Sequence, residues 1–220
     1  MKNIDLENST FWNEICGSSL AKVLGIKDDS PASLSKYDDH YLNYYSYLLK
    51  HVSVETFKGK SVMEVGLGYG TLSQKIAENC SMYWGLDIAE GPVKMVNKRI
   101  SQSNLTCDAK AVVGSVKECP FPDETFDAVV AIGSLKTATS ESEKKAFDTN
   151  FAGEGAPETQ FFSIRELTKI MGEHFDNIVL TKENNEDIVF RGRSIIRRET
   201  MLPIFGRVMG LDTYFQGRKK

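Results

Sequence analysis

Five residues, Gly66-Leu67-Gly68-Tyr69-Gly70, together with one carboxylate, Asp87, have the spacing that most narrows the chemistry of this chain. The pentad closes the apolar run Ser61-Val62-Met63-Glu64-Val65, so a strand must turn sharply there into a helix. Glycines at such a turn let a ligand approach bare backbone. An acidic residue about twenty positions on, at the end of the next strand, can accept protons from both hydroxyls of a ribose. A dinucleotide fingerprint places its third glycine three positions after the second, where this chain has Thr71. Gly70 instead follows Gly68 by two positions, which speaks against a nicotinamide dinucleotide, as does the absence of a Tyr-x-x-x-Lys pair.

Other reactive groups are sparse. The three histidines are His40, His51 and His174. His40, in Tyr37-Asp38-Asp39-His40-Tyr41 ahead of the first strand, is the candidate general base, with Tyr37 and Tyr41 as pocket residues; a solvated or structural role is its alternative. Cys16, Cys80, Cys107 and Cys119 form no C-x-x-C pair, so neither a zinc site nor a disulfide framework is expected, and no metal is predicted. Glu64 is an ionisable residue inside a buried strand and requires a donor, because an unpartnered buried carboxylate is costly.

To bring these groups together, strands and helices must alternate. Ser61 to Val65, Met82 to Leu86, Ala109 to Val113 and Phe126 to Ile132 read as strands; Thr71 to Asn79 and Pro92 to Ser101 read as helices. Ligands of such parallel sheets bind at the carboxyl ends of strands. Gly66 to Gly70, Asp87 with Ile88, Gly114-Ser115-Val116 and Ile132-Gly133-Ser134 all fall there, and Ser134 is expected to face the substrate. Upstream, Thr10 to Leu24 and Tyr41 to Val52 read as helices separated by the turn Asp28-Asp29-Ser30-Pro31. Downstream, Lys136 to Thr159 is polar, with room for a short helix at Ser140 to Phe147. A helix at Ile164 to Phe175, a strand at Asn177 to Thr181, a helix at Ser194 to Met201 and a last strand at Leu211 to Gln216 follow. The fold class is α/β, a doubly wound, mostly parallel sheet of six strands covered by helices on both faces, with an N-terminal helical cap over residues 1–58 and the main domain over 59–220.

Charge is nearly balanced, 27 Lys plus Arg against 30 Asp plus Glu, so no general attraction to nucleic acid is expected. The first residues carry no apolar signal-peptide core and no run reaches membrane-spanning length, which makes the cytoplasm the expected location, without a membrane partner.

The residues quoted so far resemble the class I, Rossmann-like, S-adenosylmethionine-dependent methyltransferases. The likeness covers Val62 to Gly70, Gly85-Leu86-Asp87-Ile88, Gly114-Ser115-Val116, and Pro120 to Asp127. Phe11-Trp12-Asn13-Glu14, Asp148-Thr149-Asn150, Gly153 to Pro157 and Gly210 to Tyr214 look like those of a bacterial subgroup. The resemblance implies that Gly66, Gly68 and Gly70, with Leu67 and Tyr69 between them, contact the methionine and ribose moieties of S-adenosylmethionine and Asp87 its ribose; the donor that the buried Glu64 requires would then be the methionine ammonium, directly or through water. The resemblance places Ile88 on the adenine face, and Ser115 with Val116, following Gly114, at the adenine edge. Ile132 and Gly133 complete the cofactor set. Such relatives continue after the fourth strand with a substrate-facing segment, a helix, a Pro-Gly-Gly turn and a fifth strand. This sequence lacks them after Leu135, so the fourth strand is expected beside the last. The expected activity is methyl transfer to a small-molecule oxygen or nitrogen acceptor, with S-adenosylhomocysteine as product. The alternatives are a non-catalytic or partner-dependent S-adenosylmethionine-binding protein and, further off, an NAD(P)-dependent reductase.

Overall fold

The alternating apolar runs assemble as a parallel sheet in the computed structural model, which describes residues 3–15, 18–133, 136–137, 155–157, 161–183, 188–190, 193–197, 200 and 212–220. Strands β1 (Ser61–Val65), β2 (Met82–Asp87), β3 (Asp108–Val113) and β4 (Ala128–Ala131) lie in the order β3-β2-β1-β4. Every neighbouring pair is parallel, with Glu64 level with Gly85 on one side and Val130 on the other. Two crossover helices join the strands, α5 (Thr71–Ala77) and α6 (Glu90–Gln102). Val62, Glu64, Tyr83 and Val130 are buried on one face. The opposite face carries Trp84, packed against Phe121 and Phe126 with ring centroids 5.0 and 5.8 Å away, and leaves Val129 60% exposed.

The edge strand β3 needs partners for its outward backbone groups. Asn97 of α6 supplies both, donating from Nδ2 to the carbonyl of Ala111 and accepting from its N–H, each at 2.9 Å.

Helices α1 (Asn3–Ile15), α2 (Ser18–Val23), α3 (Pro31–Tyr44) and α4 (Leu48–His51) precede the sheet. The expected turn at Asp28 to Pro31 is the start of α3. Pro31 occupies its first position, where a missing N–H costs nothing, and Asp28 Oδ1 gathers the Ser30 N–H and the hydroxyls of Ser30 and Ser33. Those hydroxyls hold the Asp28 carboxyl down at about 2. α3 is tied to the crossover helices by a buried ion pair. Both terminal nitrogens of Arg99 donate to Asp38 at 2.9 Å, and Thr71 Oγ1 donates to the same carboxylate at 2.5 Å.

The contacts divide the chain into two units, residues 1–44, 52–136 and 140–160, and residues 45–51, 137–139 and 161–220. In the second, the helix Ile164–His174 opens on a full capping box between Ser163 and Glu166 and runs into the strand Phe175–Glu183.

Three expectations are corrected. The sheet has four parallel strands among the described residues, because the two remaining ones pair with each other: Asp212–Lys219 runs antiparallel to Phe175–Glu183, each meeting the other's backbone needs without β4. Residues Arg193–Ile196 form a strand, not a helix, since Arg193, Ser194 and the β-branched Ile196 pair antiparallel with Phe190, Val189 and Ile188. The helix expected over Tyr41 to Val52 is interrupted at residues 45–47, between α3 and α4. Ser134 and the short helix at 140–147 lie outside the described residues.

The side chain of Arg99 is 3% exposed and that of Asp38 24%. Removing the carboxylate strands a buried guanidinium, so Asp38→Ala is expected to cost about 2–4 kcal/mol, below the fully buried case because Asp38 is partly solvated. Arg99→Met removes the buried charge itself and should cost less. Denaturant unfolding of the two variants checks the order.

Candidate functional site

Where β1 ends, the chain reverses through left-handed glycines: φ is 79° at Gly66, 55° at Gly68 and 82° at Gly70. A Cβ at Gly68 would meet nothing within 4 Å, so only the backbone angle demands glycine there, and the space beside it is open. Gly70 differs. A Cβ there would lie 2.9 Å from Arg99 Cδ, so its glycine serves the packing of α5 against α6, and Gly70 does not line the cavity described next.

That cavity, of about 420 Å³, lies along the carboxyl edge of the four strands. Ile132 and Gly133 line it beyond β4, Gly66 to Tyr69 beyond β1, Asp87 and Ile88 at β2, and Gly114 to Lys117 beyond β3. The predicted cofactor residues are thus brought together, Gly70 excepted. Tyr37 and Tyr41 of α3 line it too, and Tyr37 stacks on Tyr69 with ring centroids 4.3 Å apart. His40 is not brought in. It is exposed on α3 and absent from the lining, at the edge of the face that carries Tyr37 and one step of about 100° round the helix from Tyr41.

The floor of the cavity holds two carboxylates, Glu64 at 2% exposure and Asp87 at 7%. Asp87 accepts the Leu67 N–H at 2.7 Å through Oδ2 and the Ala89 N–H at 2.9 Å through Oδ1, so it fixes the glycine turn from below. Each oxygen keeps a further lone pair. Burial raises the Asp87 carboxyl above its ordinary value, opposed by these N–H groups. Glu64 Oε2 accepts the Tyr83 hydroxyl at 2.5 Å. Burial pushes Glu64 up to about 7 against the pull of the Ser73 and Tyr83 hydroxyls, and the charge of Asp87 adds to the rise. Neutral donors thus hold both carboxylates, a floor suited to a ligand bringing positive charge and hydroxyls.

Sequence reading missed one wall. Asp5, Asn8 and Trp12 of α1 line the cavity, three and four residues apart on one helical face. The sequence carried no signal for them: Asp5 and Asn8 read as a solvated helix face, and only the fold buries them beside Phe11. Among the described residues no cluster of three or more metal-ligating side chains occurs, and no helix is long and apolar enough to cross a membrane.

Residues 62–152 match the family model described as a methyltransferase domain. The chain is 31% identical over 114 residues to a fatty-acid O-methyltransferase of Mycolicibacterium smegmatis, covering 50% of this chain and 40% of that one. It is 25% identical over 91 residues to a ubiquinone biosynthesis O-methyltransferase of Stutzerimonas stutzeri, 41% of this chain and 38% of the other. The chain thus spans about two fifths of the length of these curated relatives. Among solved structures, geranyl diphosphate C-methyltransferase of Streptomyces coelicolor, with S-adenosyl-L-homocysteine in its complex, superposes with a TM-score of 0.56 at 12% identity, covering 81% of this chain and 82% of that one.

The raised Glu64 carboxyl has a consequence for stability. The folded protein keeps this proton up to about 7, whereas the unfolded chain releases it near 4.5, so the wild type loses stability as pH rises from 4.5 through 7 and then levels off. Glu64→Gln, which has no proton to lose, is expected to gain thermal stability relative to the wild type across that window. Melting curves of both proteins from pH 4 to 8 check it.

Proposed function

We propose that this chain, whose residues 62–152 match a methyltransferase domain, is a class I, Rossmann-like methyltransferase that binds S-adenosylmethionine in this cavity and transfers the methyl group to a small, apolar acceptor, at oxygen. The observation that carries the reading is the pair of buried carboxylates beneath the glycine turn. The residues present fit this cofactor: Asp87 offers lone pairs to ribose hydroxyls, Glu64 offers a carboxylate to an ammonium, and the backbone at Gly68 stands open to the cavity. When bound, S-adenosylmethionine supplies an electrophilic sulfonium methyl. The contribution of the chain is to hold donor and acceptor in line and to keep water out, which can account for much of such a rate.

The strand order supports one orientation of the ligand. Asp87 at β2 takes the ribose, so the adjoining β3 edge, Gly114 to Val116, receives the base and the β1 turn the methionine portion. Beyond β1 lies β4, so Ile132 and Gly133, with Tyr37 and Tyr41, face the acceptor. Ser134 follows Gly133 in the chain and is proposed there on sequence alone. Among the described residues lining the cavity there is no histidine, and the exposed His40 is not proposed as a base. Among the described lining residues the tyrosine hydroxyls, Asp5 and Lys117 are the titratable groups beside the acceptor and base ends. Oxygen is favoured because two similar curated proteins are named O-methyltransferases, of a fatty acid and in ubiquinone biosynthesis, both apolar molecules.

Calorimetric titration tests the first half of this. S-adenosylhomocysteine is expected to bind and NADH to give no heat; the reverse would overturn the assignment. Asp87→Asn keeps the shape and loses the charge, and should weaken S-adenosylhomocysteine by about 1.5–3 kcal/mol, the worth of a hydrogen bond to a charged group. Radiolabelled methyl transfer to a panel of fatty acids and phenols tests the second half. Binding without transfer to any of them would leave a cofactor-binding protein.

A further inference from the structure

The polar stripe on α1 lies outside the matched residues 62–152, so family membership assigns it no role. Asp5 is 8% exposed and Asn8 7%, yet both line the cavity. A carboxylate in the first turn of a helix is favoured by the helix dipole, but that holds equally in water and does not call for burial. Packing alone would place apolar residues at these positions. The recorded ion-pair partner of Asp5 among the described residues is Lys117 Nζ at 3.9 Å, beyond hydrogen-bond length, on a side chain 52% exposed. A nearly buried carboxylate held that weakly lacks a donor, and the cavity it lines is where a donor can come from.

Two further observations fix which donor. Lys117 follows Ser115 and Val116 at the end of β3, so Asp5 stands at the β3 end of the cavity, one strand beyond Asp87. Neighbouring strands are about 4.8 Å apart, so that end lies about 14 Å along the sheet edge from the β4 end, where the acceptor is proposed. The Ser115 hydroxyl there accepts the Lys117 N–H at 3.3 Å, and as a neutral oxygen it is a weaker acceptor than a carboxylate. The helix is also anchored: Asn13 Oδ1 accepts the Gly91 N–H at 2.7 Å in the first turn of α6, and Phe11 is buried.

The geometry points to Asp5 as the acceptor for the exocyclic amine of the adenine ring, which makes α1 a specificity-determining wall of the cofactor site. This rests on the S-adenosylmethionine reading above. An adenine presents two N–H donors at that amine, and a carboxylate accepts from them without offering a competing donor. Asp5 therefore selects a 6-aminopurine over purines that lack the amine.

The test is a binding cycle with two ligands, S-adenosylhomocysteine and its counterpart carrying hydrogen in place of the 6-amino group, against the wild type, Asp5→Ala and Asp5→Asn. The wild type is expected to prefer the amino ligand by about tenfold or more, the worth of one hydrogen bond to a charged group. In Asp5→Ala that preference should fall to about one, the full coupling between residue and amine. Asp5→Asn, which keeps the shape, should retain part of it. The preference is a ratio taken within each variant, so a general loss of pocket shape weakens both ligands alike and leaves the ratio at its wild-type value. A preference that survives in Asp5→Ala, or a wild type that does not distinguish the two ligands, overturns the assignment of Asp5 alone. A wild type that binds neither ligand overturns the cofactor reading and this inference with it.

Discussion

Asp87 does two things with one carboxylate, and the site depends on both. Its oxygens hold the backbone N–H groups of Leu67 and Ala89, so the glycine turn after β1 and the start of α6 after β2 are tied to the same buried anion. A carboxylate at 7% exposure is stable only with such donors, and the turn keeps its left-handed glycines in register only with such an acceptor. Parallel pairing of β1 with β2 brings the two strand ends side by side. The spacing between the glycines and Asp87 is therefore a structural requirement before it is a ligand-binding one.

The N-terminal helices are joined to this edge by polar contacts more than by an apolar seam. Arg99 and Thr71 hold Asp38 of α3, and Gly91 holds Asn13 of α1, in each case at the first turn or the buried side of a crossover helix. A guanidinium at 3% exposure beside a bidentate carboxylate fixes direction as well as distance. That direction turns Tyr37 and Tyr41 into the cavity and His40 away from it. A sliding apolar contact would not fix the rotation of α3 so closely.

How far the sequence showed this follows from what each signal depends on. The glycine turn, Asp87 and the strand ends Gly114 and Gly133 were legible because strand periodicity and turn chemistry are local. The capping box at Ser163 and Glu166 was present in the same way. The rest depended on partners distant in the chain. Residues 193–196 form a strand because Ile188–Phe190 pairs with them, and the strand at 175–183 leaves the parallel sheet because residues 212–219 meet it first. Gly70 belongs to the motif by spacing but to the packing of Arg99 by geometry, and one sequence pattern cannot distinguish the two uses. Asp5 and Asn8 were invisible for a different reason: polar residues on a helix read as a solvated face until burial is known.

The same partition bears on the reaction. The two deepest carboxylates already accept protein donors, Glu64 the Tyr83 hydroxyl and Asp87 the N–H of the glycine turn, and both lie under the end proposed for the cofactor. The end proposed for the acceptor, beyond β1 and β4, is lined by glycine, isoleucine and tyrosine. A site so built aligns an acceptor better than it removes a proton, because a tyrosine hydroxyl titrates near 10 and is a weak base at neutral pH. An acceptor whose oxygen is already anionic, as in a carboxylate, needs no base at all, and the demand on the protein reduces to alignment and exclusion of water. In that reading Tyr37, backed by Tyr69, and Tyr41 would bear on the apolar body of the acceptor. Methyl transfer to the carboxylate of an apolar acid is the chemistry that asks least of the residues this cavity contains.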